Sequence, residues 1–527
     1  MPGLAIIGRT STRLGIVKMC FLYVSVYGKL KFSNMTMDAD VNGNLLKFCE
    51  DMALSPLFRE LSQLSRKWET ELYLAGGTLR DLVLNREIID IDFAVSSRCL
   101  EFSGEFSKRV NGTYVILDKE NKTSRVVIKG YNLDFTEFRG KDIQDDLSKR
   151  DFSINAMAIP FSEIMEGKTA RLLDPFGGLQ DIKAGLIRAL SKESITHDPL
   201  RMVRAYRLAA TYDFRIEERT REYIKECARE ITKVSQERIT TELTKIFSAN
   251  MCYPWVEDMV KVGLVTYILP EIQDMKGVIQ NGSHHLDVYD HSLLTLKCLE
   301  EVINGPQRYF RSHIDSIASY LRSQKTRALL KWAALFHDLG KAKVREIDSR
   351  GKITFYYHEQ IGSQIFLNMA QRLKLSKADA RFIQKIILLH MRPLHIMRPF
   401  MQGTLTPKGI RRFIRQAEGD LIGVFVVTMA DSLAGKGPLK PADAEVRLAE
   451  LFDAIYTYFK EKFEPITMRP RLITGRDLIE QFHLTPGPVF GKLLREVEEA
   501  YMEGIVTTRE QAIEWLSARI AETEAGD

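Results

Sequence analysis

The chain has 527 residues, 45% of them apolar, and a formal net charge of +6. This length exceeds one ordinary hydrophobic core and predicts three or four domains of a globular protein. The mild positive charge is compatible with an RNA or nucleotide partner but does not require one. No run of about 18 apolar residues occurs, so the sequence predicts no transmembrane helix and no membrane partner.

Six cysteines stand at positions 20, 49, 99, 227, 252 and 298, and none form a C-x-x-C pair. This spacing argues against a zinc ribbon or a disulfide scaffold and predicts a cytoplasmic location. Residues 14–28 are apolar, but Lys18 interrupts them and no signal-peptide cleavage site follows. We expect residues 1–43 to be a poorly ordered extension, or to include a start codon placed upstream of the true one at Met35 or Met37.

Strand-like and helix-like patterns alternate between residues 72 and 175. Period-two alternation predicts strands in ELYLAGG, IIDIDFAV, TYVILD, SRVVIKG and LDFTEFR, and TLRDLVL (78–84) predicts a short helix. After about residue 190, apolar residues recur every three to four positions, which predicts helices up to about 434. GKGPLKPADAE (435–445) is typical of a linker, and a helical tail follows it. The fold class is therefore multidomain: α/β with a small mixed sheet, then all-α.

Two carboxylates and two glycines form the first candidate site. Asp90 and Asp92 share one face of a strand, where a hard cation such as Mg²⁺ would offset their repulsion. Gly76 and Gly77 precede a helix, and their backbone amides can approach a phosphate closely. Asp134 is the favoured third carboxylate, because Glu137 lies an odd number of residues away, on the opposite face of a regular strand.

Several motifs resemble those of the class II nucleotidyltransferases, which comprise CCA-adding tRNA nucleotidyltransferases and bacterial poly(A) polymerases. The resemblance covers residues 70–275 and lies in GGTLRD…DIDF, KRDFSINAMA (149–158), DPFGGLQDIKAGLIRAL (174–190), HDPLRMVRAYRLA (197–209) and SQERITTEL (235–243). It implies a nucleotidyltransferase head in 44–190 and a helical neck that binds RNA in 191–280.

The resemblance also implies roles for particular residues of the head. Asp90 and Asp92 would hold Mg²⁺, and Asp134 would help to activate the attacking hydroxyl. Residues that would contact the sugar and triphosphate are Arg150, Asp151 and Asn155, and also Arg80 and Asp81 unless these two form a structural pair beside the glycine turn.

In the neck, Asp198 and Arg201 would read the base of the incoming nucleotide. A carboxylate accepts from the exocyclic amine of cytosine or adenine, and an arginine donates to the adjacent ring nitrogen. Asp198 is also expected to cap a helix that has Pro199 in its first turn. Arg204 and Arg207 would face phosphates or form a solvated helix face.

The segment FRGKDIQDDLSKRDF lacks the loop of about twenty residues that CCA-adding members of the family carry after the third carboxylate. CC-adding members are similar in lacking it. The resemblance therefore favours C addition, while A addition and poly(A) synthesis stay open.

A second set of residues, on predicted helices of 281–434, resembles the HD-domain phosphohydrolases. It includes the HD pair of LFHDLGKAK, and each member taken alone would be an ordinary polar residue at a helix end. The resemblance implies that His291, His337, Asp338 and Asp431 ligate a metal. His358 and His390 would either ligate a second metal or bind phosphate. Imidazole and carboxylate ligands suit Mn²⁺, Ni²⁺ or Fe²⁺. Residues 435–527 would form a linker and a helical tail.

The sequence thus predicts an enzyme that transfers nucleotides from CTP, with ATP as a candidate second substrate, to the 3′ end of tRNA without a template. The HD domain would be a metal-dependent phosphohydrolase. The alternatives are a poly(A) polymerase, or an HD phosphohydrolase whose head only binds RNA. The sequence does not predict the oligomeric state.

Overall fold

The computed structural model describes residues 31–33, 39–128, 130–167, 169–467 and 470–524. The predicted extension in 1–43 lies mostly outside these residues; within them, a strand covers Lys31–Ser33 and a helix begins at Ala39. The chain folds into two compact units. The sheet unit ends at Arg201 and adds Tyr212–Ile224, and the helical unit comprises Met202–Thr211 and the chain from Lys225 onward.

The strands, in chain order, are β1 (Lys31–Ser33), β2 (Leu72–Ala75), β3 (Asp90–Val95), β4 (Thr113–Asp118), β5 (Thr123–Ile128), β6 (Tyr131–Glu137), β7 (Ala158–Pro160), β8 (Thr169–Arg171), β9 (Leu186–Ile187), β10 (Arg215–Ile216), β11 (Glu346–Ile347) and β12 (Ile353–Thr354).

The helices are α1 (Ala39–Leu54), α2 (Pro56–Lys67), α3 (Gly77–Val83), α4 (Cys99–Arg109), α5 (Ile143–Ser148), α6 (Phe161–Met165), α7 (Gly178–Ala184), α8 (Lys192–His197), α9 (Leu200–Tyr212), α10 (Glu218–Cys227), α11 (Gln236–Ser248), α12 (Tyr253–Lys261), α13 (Leu264–Ile268), α14 (Val288–Asn304), α15 (Ile314–Tyr320), α16 (Gln324–Phe336), α17 (Lys341–Val344), α18 (His358–Arg372), α19 (Lys377–Leu389), α20 (Arg392–Met401), α21 (Pro407–Ala417), α22 (Leu421–Ala434), α23 (Ala444–Tyr458), α24 (Glu464–Thr467), α25 (Gly475–Glu480), α26 (Pro488–Met502) and α27 (Arg509–Glu524).

The sheet unit is built on a six-stranded mixed sheet of order β4-β5-β6-β3-β2-β7 among the described residues. β3 and β6 are parallel, and their neighbours in the sheet run antiparallel. The five strands predicted from the alternating pattern are confirmed as β2 to β6. β7 was not predicted, because its three residues are too few to show a period.

Alternation along β3 and β6 separates the core of the sheet unit from its polar face. Phe93 and Phe135 are register partners and stack with their ring centroids 5.3 Å apart. Both are buried, and Phe161 packs edge-on against Phe93. Burial of each ring stabilises the sheet by roughly 2–3 kcal/mol. The neighbouring positions on the same strands point the other way and carry the carboxylates described below.

Helices dominate the helical unit, where Trp332 of α16 stacks on Phe247 of α11 at 4.4 Å. A buried ion pair lies nearby: Lys331 Nζ is 2.9 Å from Glu300 Oε1 on α14. Lys331 also donates to the carbonyls of Ala249 and Asn250, at 2.6 and 3.0 Å. The pair is therefore fully hydrogen-bonded and ties the end of α11 to α14 and α16. No helix among the described residues is long and apolar enough to cross a membrane.

Replacement of Lys331 should destabilise the helical unit strongly. Lys331→Met leaves the Glu300 carboxylate buried without its cation, and we expect a loss of about 3–5 kcal/mol in the free energy of unfolding, measured by urea titration. Lys325→Met is the matched control on the same helix, because Lys325 pairs with Asp379 while its side chain is 67% exposed. That change should cost less than about 1 kcal/mol. Equal losses in the two variants would contradict a structural role of the buried pair.

Candidate catalytic and metal sites

The predicted carboxylates come together on the polar face of the sheet. Asp92 and Asp134 are register partners across the parallel strands β3 and β6. Asp90 lies two residues before Asp92 on β3 and therefore on the same face of the sheet. Asn132 pairs in register with Asp90, and its Nδ2 donates to Asp90 Oδ1 at 2.8 Å. Glu137 instead accepts from the Cys99 amide at 3.0 Å and pairs with Lys122. The structure therefore places Asp134, and not Glu137, beside Asp92.

The glycine turn closes one side of this face. Gly76 has φ = +70°, and a Cβ there would lie 2.9 Å from Arg150 Nη1 and 3.3 Å from Asp92 Oδ2. A Cβ on Gly77 would lie 3.1 Å from the same Asp92 oxygen. Thr78 Oγ1 accepts from the Asp92 amide at 2.7 Å, which fixes the turn against β3. The backbone can adopt this conformation and this close approach because neither position carries a side chain.

Arg80 and Asp81 form the structural pair that the sequence left open. Nε and Nη2 of Arg80 donate to the two oxygens of Asp81 at 3.0 and 2.8 Å. Nη1 of Arg80 donates to Asn155 Oδ1 at 2.5 Å, and Asn155 Nδ2 donates to Asp151 at 3.0 Å. Tyr212 adds a hydrogen bond to Asp81 at 2.7 Å. Four of the predicted nucleotide-binding residues therefore form one network behind the glycine turn.

Arg150 lies beside the glycine turn together with Asp92, since both side chains approach the position that a Gly76 Cβ would take. Its Nε and Nη2 donate to Asp146 Oδ2 at 3.0 and 2.9 Å, and its Nη1 donates to the Asn155 carbonyl at 3.3 Å. Asp146 lies on α5, the short helix that occupies the predicted short link between β6 and the KRDF motif. Arg150 is thereby held on the side of the site that the glycines form.

Arg125 of β5 is a component of this site that the sequence interpretation missed. Its Nε and Nη2 donate to the two oxygens of Asp134 at 2.7 and 2.8 Å, and Nη2 lies 3.7 Å from Asp90 Oδ1. The only sequence signal was the alternation in SRVVIKG, which puts Arg125 and Val127 on one face. That face could be identified only once the order of the strands was known.

The charges of the site shift the protonation of Asp92. Burial and the neighbouring Asp134 carboxylate raise the pKa of Asp92 to about 6, although Arg150 and Arg80 oppose the shift. The ionised form of Asp92 is therefore destabilised in the folded protein. Carboxylate oxygens are the ligands that a hard divalent cation prefers, and Asp90 and Asp92 are placed to hold one.

The neck residues are arranged differently from the sequence prediction in one respect. Asp198 caps the start of α9 as expected, with its Oδ1 accepting from the Leu200 amide at 3.3 Å. Arg201 is buried, and its Nη atoms donate to the carbonyls of Lys149, Arg150 and Ser194 at 3.0–3.1 Å. These donors hold the KRDF motif in place in this structure. The sequence did not predict the contact, because donation to a backbone carbonyl leaves no pattern in residue types.

Arg204 and Arg207 both pair with one buried carboxylate while their own side chains stay partly exposed. Their Nε atoms lie 3.3 and 2.6 Å from the two carboxylate oxygens of Glu242, a buried residue of α11. The sequence interpretation did not include this ion pair, and its two alternatives, a phosphate contact and a solvated helix face, stay predictions. Glu242 lies more than thirty residues further along the chain, so the spacing within α9 could not reveal it.

All six predicted residues of the HD set come together in the helical unit and are buried. Their ligand atoms form three groups within 4.8 Å, namely His291, His337 and Asp338; His337, His390 and Asp431; and Asp338, His358 and His390. Asp338 Oδ2 lies 3.2 Å from His337 Nε2, and its Oδ1 lies 3.4 Å from His358 Nε2. The two Asp338 oxygens thus face two different histidines.

Backbone hydrogen bonds orient three of the imidazoles. Nδ1 of His337, His358 and His390 donates to the carbonyl three residues earlier, at 2.8, 2.8 and 2.6 Å. A carbonyl can only accept, so Nδ1 of each ring carries a proton and Nε2 is the nitrogen that faces the centre of the cluster. This is the arrangement that protein ligands adopt around a metal ion.

Unsatisfied atoms and charge show that the cluster fits a cation. Oδ1 of Asp338 and Nε2 of His337 are buried without a hydrogen-bond partner in the part of the chain that the structure describes, while Oδ2 of Asp338 lies 2.6 Å from Lys341 Nζ. Despite burial, His337 and Lys341 hold the pKa of Asp338 well below its usual range, and His337 and His291 do the same for the pKa of Asp431. Although burial opposes it, Asp338 and Asp431 raise the pKa of His337 to about 10. The carboxylates are therefore ionised and demand positive charge, and the mixed nitrogen and oxygen ligands suit a transition metal.

Known family profiles match four successive parts of the chain. They are "Poly A polymerase head domain" at 72–188, "Probable RNA and SrmB- binding site of polymerase A" at 213–276, "HD domain" at 288–436 and "tRNA nucleotidyltransferase domain 2 putative" at 457–516. The carboxylates of the sheet fall in the first and the six HD residues in the third. The fold and these two sites define a nucleotidyltransferase head joined to an HD domain.

Similar proteins extend the match over most of the chain. The A-adding tRNA nucleotidyltransferase of Deinococcus radiodurans is 28% identical over 83% of this chain and 93% of its own length. The CC-adding tRNA nucleotidyltransferase of Thermus thermophilus is 27% identical over 84% and 92%. The solved Thermotoga maritima CCA-adding enzyme in complex with tRNA shares the fold with a TM-score of 0.57, at 21% identity over 90% and 98% of the two chains. The chain belongs to the class II tRNA nucleotidyltransferase and poly(A) polymerase family and carries an HD domain.

Removal of the charge on Asp92 should stabilise the protein at neutral pH. Because the folded-state pKa of Asp92 is about 6 and the ordinary value of an aspartate is 3.8, stability falls as pH rises between these values and the full penalty applies above them. In chelator at pH 8, we expect Asp92→Asn to raise the free energy of unfolding by about 1–3 kcal/mol, and the gain should vanish near pH 4. Asp134→Asn is the control, because it loses the Arg125 pair and should give no gain. A gain for Asp92→Asn that does not change with pH would contradict this account.

Proposed function

We propose that the chain adds nucleotides to the 3′ end of tRNA without a nucleic-acid template, with CTP as the first substrate and ATP as the second candidate. The observation that carries the proposal is the register of Asp92 and Asp134 beside the glycine turn. This arrangement offers a cation-binding carboxylate pair and a place for a triphosphate on one side. The names of the two curated relatives support a tRNA substrate and a nucleotide donor.

Different residues of the head would serve different steps of nucleotide transfer, which is a displacement at the α-phosphorus. Asp90 and Asp92 would hold Mg²⁺, which supplies charge neutralisation for the triphosphate when bound. The backbone of Gly76 and Gly77 gives the phosphates room, and Arg150 contributes positive charge beside them. Asp134 accepts the proton of the attacking 3′ hydroxyl. The new bond joins that oxygen to the α-phosphorus, the bond from the α-phosphorus to its bridging oxygen breaks, and pyrophosphate leaves.

The short α5 link supports C addition. Twelve positions, 138–149, separate β6 from Arg150, and α5 takes up six of them. The long loop implicated in switching from C to A addition therefore has no counterpart in this described segment. A addition is the second candidate, because the Deinococcus radiodurans relative bears that name. Asp198 and Arg201 are proposed to read the base, which requires the Arg201 donors to leave the backbone carbonyls when nucleotide binds.

An incorporation assay tests the transferase proposal. We expect purified protein to add C from CTP to a tRNA that ends at the discriminator base, and Asp90→Ala with Asp92→Ala to reduce addition by at least about a thousandfold, because the cation-binding pair is lost. Asp118→Ala is the control, since Asp118 lies on β4 of the same sheet and serves a turn through the Glu120 and Asn121 amides. Addition of ATP to unrelated RNA, with no use of CTP, would instead indicate a poly(A) polymerase. Full activity of the double variant would refute the site.

We infer a second activity for the HD cluster: hydrolysis of a phosphoester, with a divalent transition metal (Mn²⁺, Ni²⁺ or Fe²⁺). His291, His337, Asp338 and Asp431 would hold one ion, and His358 and His390 with Asp338 a second one. A bound ion lowers the pKa of water and so supplies a nucleophile. A cleft of about 580 Å³ adjoins the cluster and is lined by Lys341, Tyr356 and Tyr357 among others. Its volume suits an RNA end or a small nucleotide.

Metal analysis tests this second proposal. Asp338→Asn should lower the bound Mn²⁺ measured after dialysis by at least about tenfold, because the Asp338 carboxylate contributes negative charge to both of the proposed metal sites. It should leave CTP incorporation intact. Asp348→Asn is the matched control in the same region, because Asp348 only closes the turn between β11 and β12. Unchanged metal content in Asp338→Asn would refute the metal site.

We also propose the four-part organisation and the cellular location that the sequence predicts. Head 44–190, neck 191–280, HD domain 281–434 and tail 435–527 are supported by the order of the matched profiles. A cytoplasmic location is supported by the five described cysteines, which are all buried thiols. A thiol titration of protein isolated under native conditions checks this, since disulfides would contradict it.

A further inference from the structure

The polar face of the sheet continues beyond the carboxylates onto the edge of the sheet. Register pairs Val115 of β4 with Arg125 of β5, Arg125 with Asp134, and Asp134 with Asp92. One row of the face therefore reads valine, arginine, aspartate, aspartate from the edge strand inward. The next row reads Thr113, Val127, Asn132 and Asp90.

The proposed reaction places the triphosphate and the attacking hydroxyl at opposite ends of this face. The glycine turn and Arg150 lie at the Asp92 end, so the triphosphate belongs there. In an in-line displacement, the attacking oxygen enters opposite the leaving pyrophosphate. The acceptor end must then arrive from the Asp134 end, across β5 and β4.

Arg125 is equipped to meet a phosphate at that end. Nε and Nη2 hold Asp134, while Nη1 has no hydrogen-bond partner among the described residues. A guanidinium carries five N–H donors, so several remain after the Asp134 contact. Its side chain is 30% exposed, which leaves it accessible from solvent.

Two valines beside Arg125 are exposed, Val115 on the edge strand β4 and Val127 on β5. Val115 is 41% and Val127 38% exposed, and Ile89, next to Asp90, is 52% exposed. Natural edge strands usually carry charge where they are open to solvent, so exposed apolar residues there indicate a binding surface. The exposed valines with the Arg125 guanidinium beside them are complementary to the last nucleotide of an RNA strand, which presents a ribose and a base next to a phosphate.

We propose that Arg125, Val115 and Val127 form the binding subsite for the 3′-terminal nucleotide of the RNA acceptor, an inference that rests on the proposed transferase function. Nη1 of Arg125 donates to the last internucleotide phosphate, and the valines lie beneath the terminal ribose and base. The same guanidinium orients Asp134 toward the terminal hydroxyl. A carboxylate has about four lone-pair positions, so Asp134 keeps acceptor capacity while Arg125 holds it. Arg125 thus couples arrival of the acceptor to placement of the residue that takes its proton.

The test combines protein variants with a modified acceptor. Arg125→Gln and Arg125→Lys are compared with wild type on an acceptor RNA and on the same RNA with one uncharged methylphosphonate at its last internucleotide linkage. Dissociation constants are measured without nucleotide, and KM values for RNA and CTP are measured during turnover. Arg109→Gln is the matched control, because Arg109 pairs with Glu60 and Glu105 on the same unit with its side chain 26% exposed.

We expect Arg125→Gln to weaken binding of the unmodified RNA about tenfold, the loss typical of a charge-assisted hydrogen bond. The KM for CTP should stay within about twofold. Neutralising the phosphate should weaken wild-type binding to the same extent and add nothing in Arg125→Gln, because both changes remove one contact. Arg125→Lys should restore part of the affinity, and Val115→Thr should weaken binding of both RNAs alike.

Two outcomes separate this subsite from the transferase proposal. In the first, the protein adds nucleotides, but the losses of RNA affinity caused by Arg125→Gln and by the methylphosphonate multiply. This result would overturn the proposed subsite and leave the proposed transferase function intact. In the second, the protein adds no nucleotide, but Arg125→Gln and the methylphosphonate together weaken RNA binding no more than either does alone. This result would overturn the proposed transferase function and leave the phosphate contact of Arg125 intact. If Arg125→Gln lowers kcat but leaves the affinity for RNA unchanged, the subsite is also overturned. Arg125 would then act only by orienting Asp134.

Discussion

Both sites depend on one constraint: carboxylates that lie close together must be neutralised. In the sheet unit, Asp92 and Asp134 are adjacent by register, and their repulsion contributes to the raised pKa of Asp92. Arg125 on one side and Arg150 on the other supply the opposing charge. The cationic side chains beside the carboxylates thus offset the repulsion within the fold, and they are the same side chains that we propose to contact a negatively charged substrate.

The HD cluster meets the same constraint with different chemistry. Asp338 and Asp431 lie among imidazoles and Lys341, and atoms at the centre are left without partners among the described residues. The arginines beside the sheet carboxylates are replaced here by imidazoles whose Nε2 atoms face inward. This contrast underlies the cations that we propose for the two sites, because oxygen ligands with arginine neighbours favour a hard ion and phosphates, whereas imidazoles favour a transition metal.

Local periodicity accounts for what could be predicted from the sequence. The two-residue repeat distinguished Asp134 from Glu137, and the strands β2 to β6 followed from alternation. The HD residues were found because their order along the chain matches a known family. Arg125, the Glu242 contacts of Arg204 and Arg207, and the backbone contacts of Arg201 depend on strand order or on segments distant in sequence. Such contacts are set by tertiary packing, which residue spacing does not encode.

The two carboxylate clusters lie in different compact units and share no described side chain. Each is neutralised by residues of its own unit, so a point mutation that ends one chemistry leaves the charges of the other unchanged. Natural selection can therefore act on the two separately. A descendant that loses an HD residue keeps a complete sheet site, and one that loses a sheet carboxylate keeps all six HD residues.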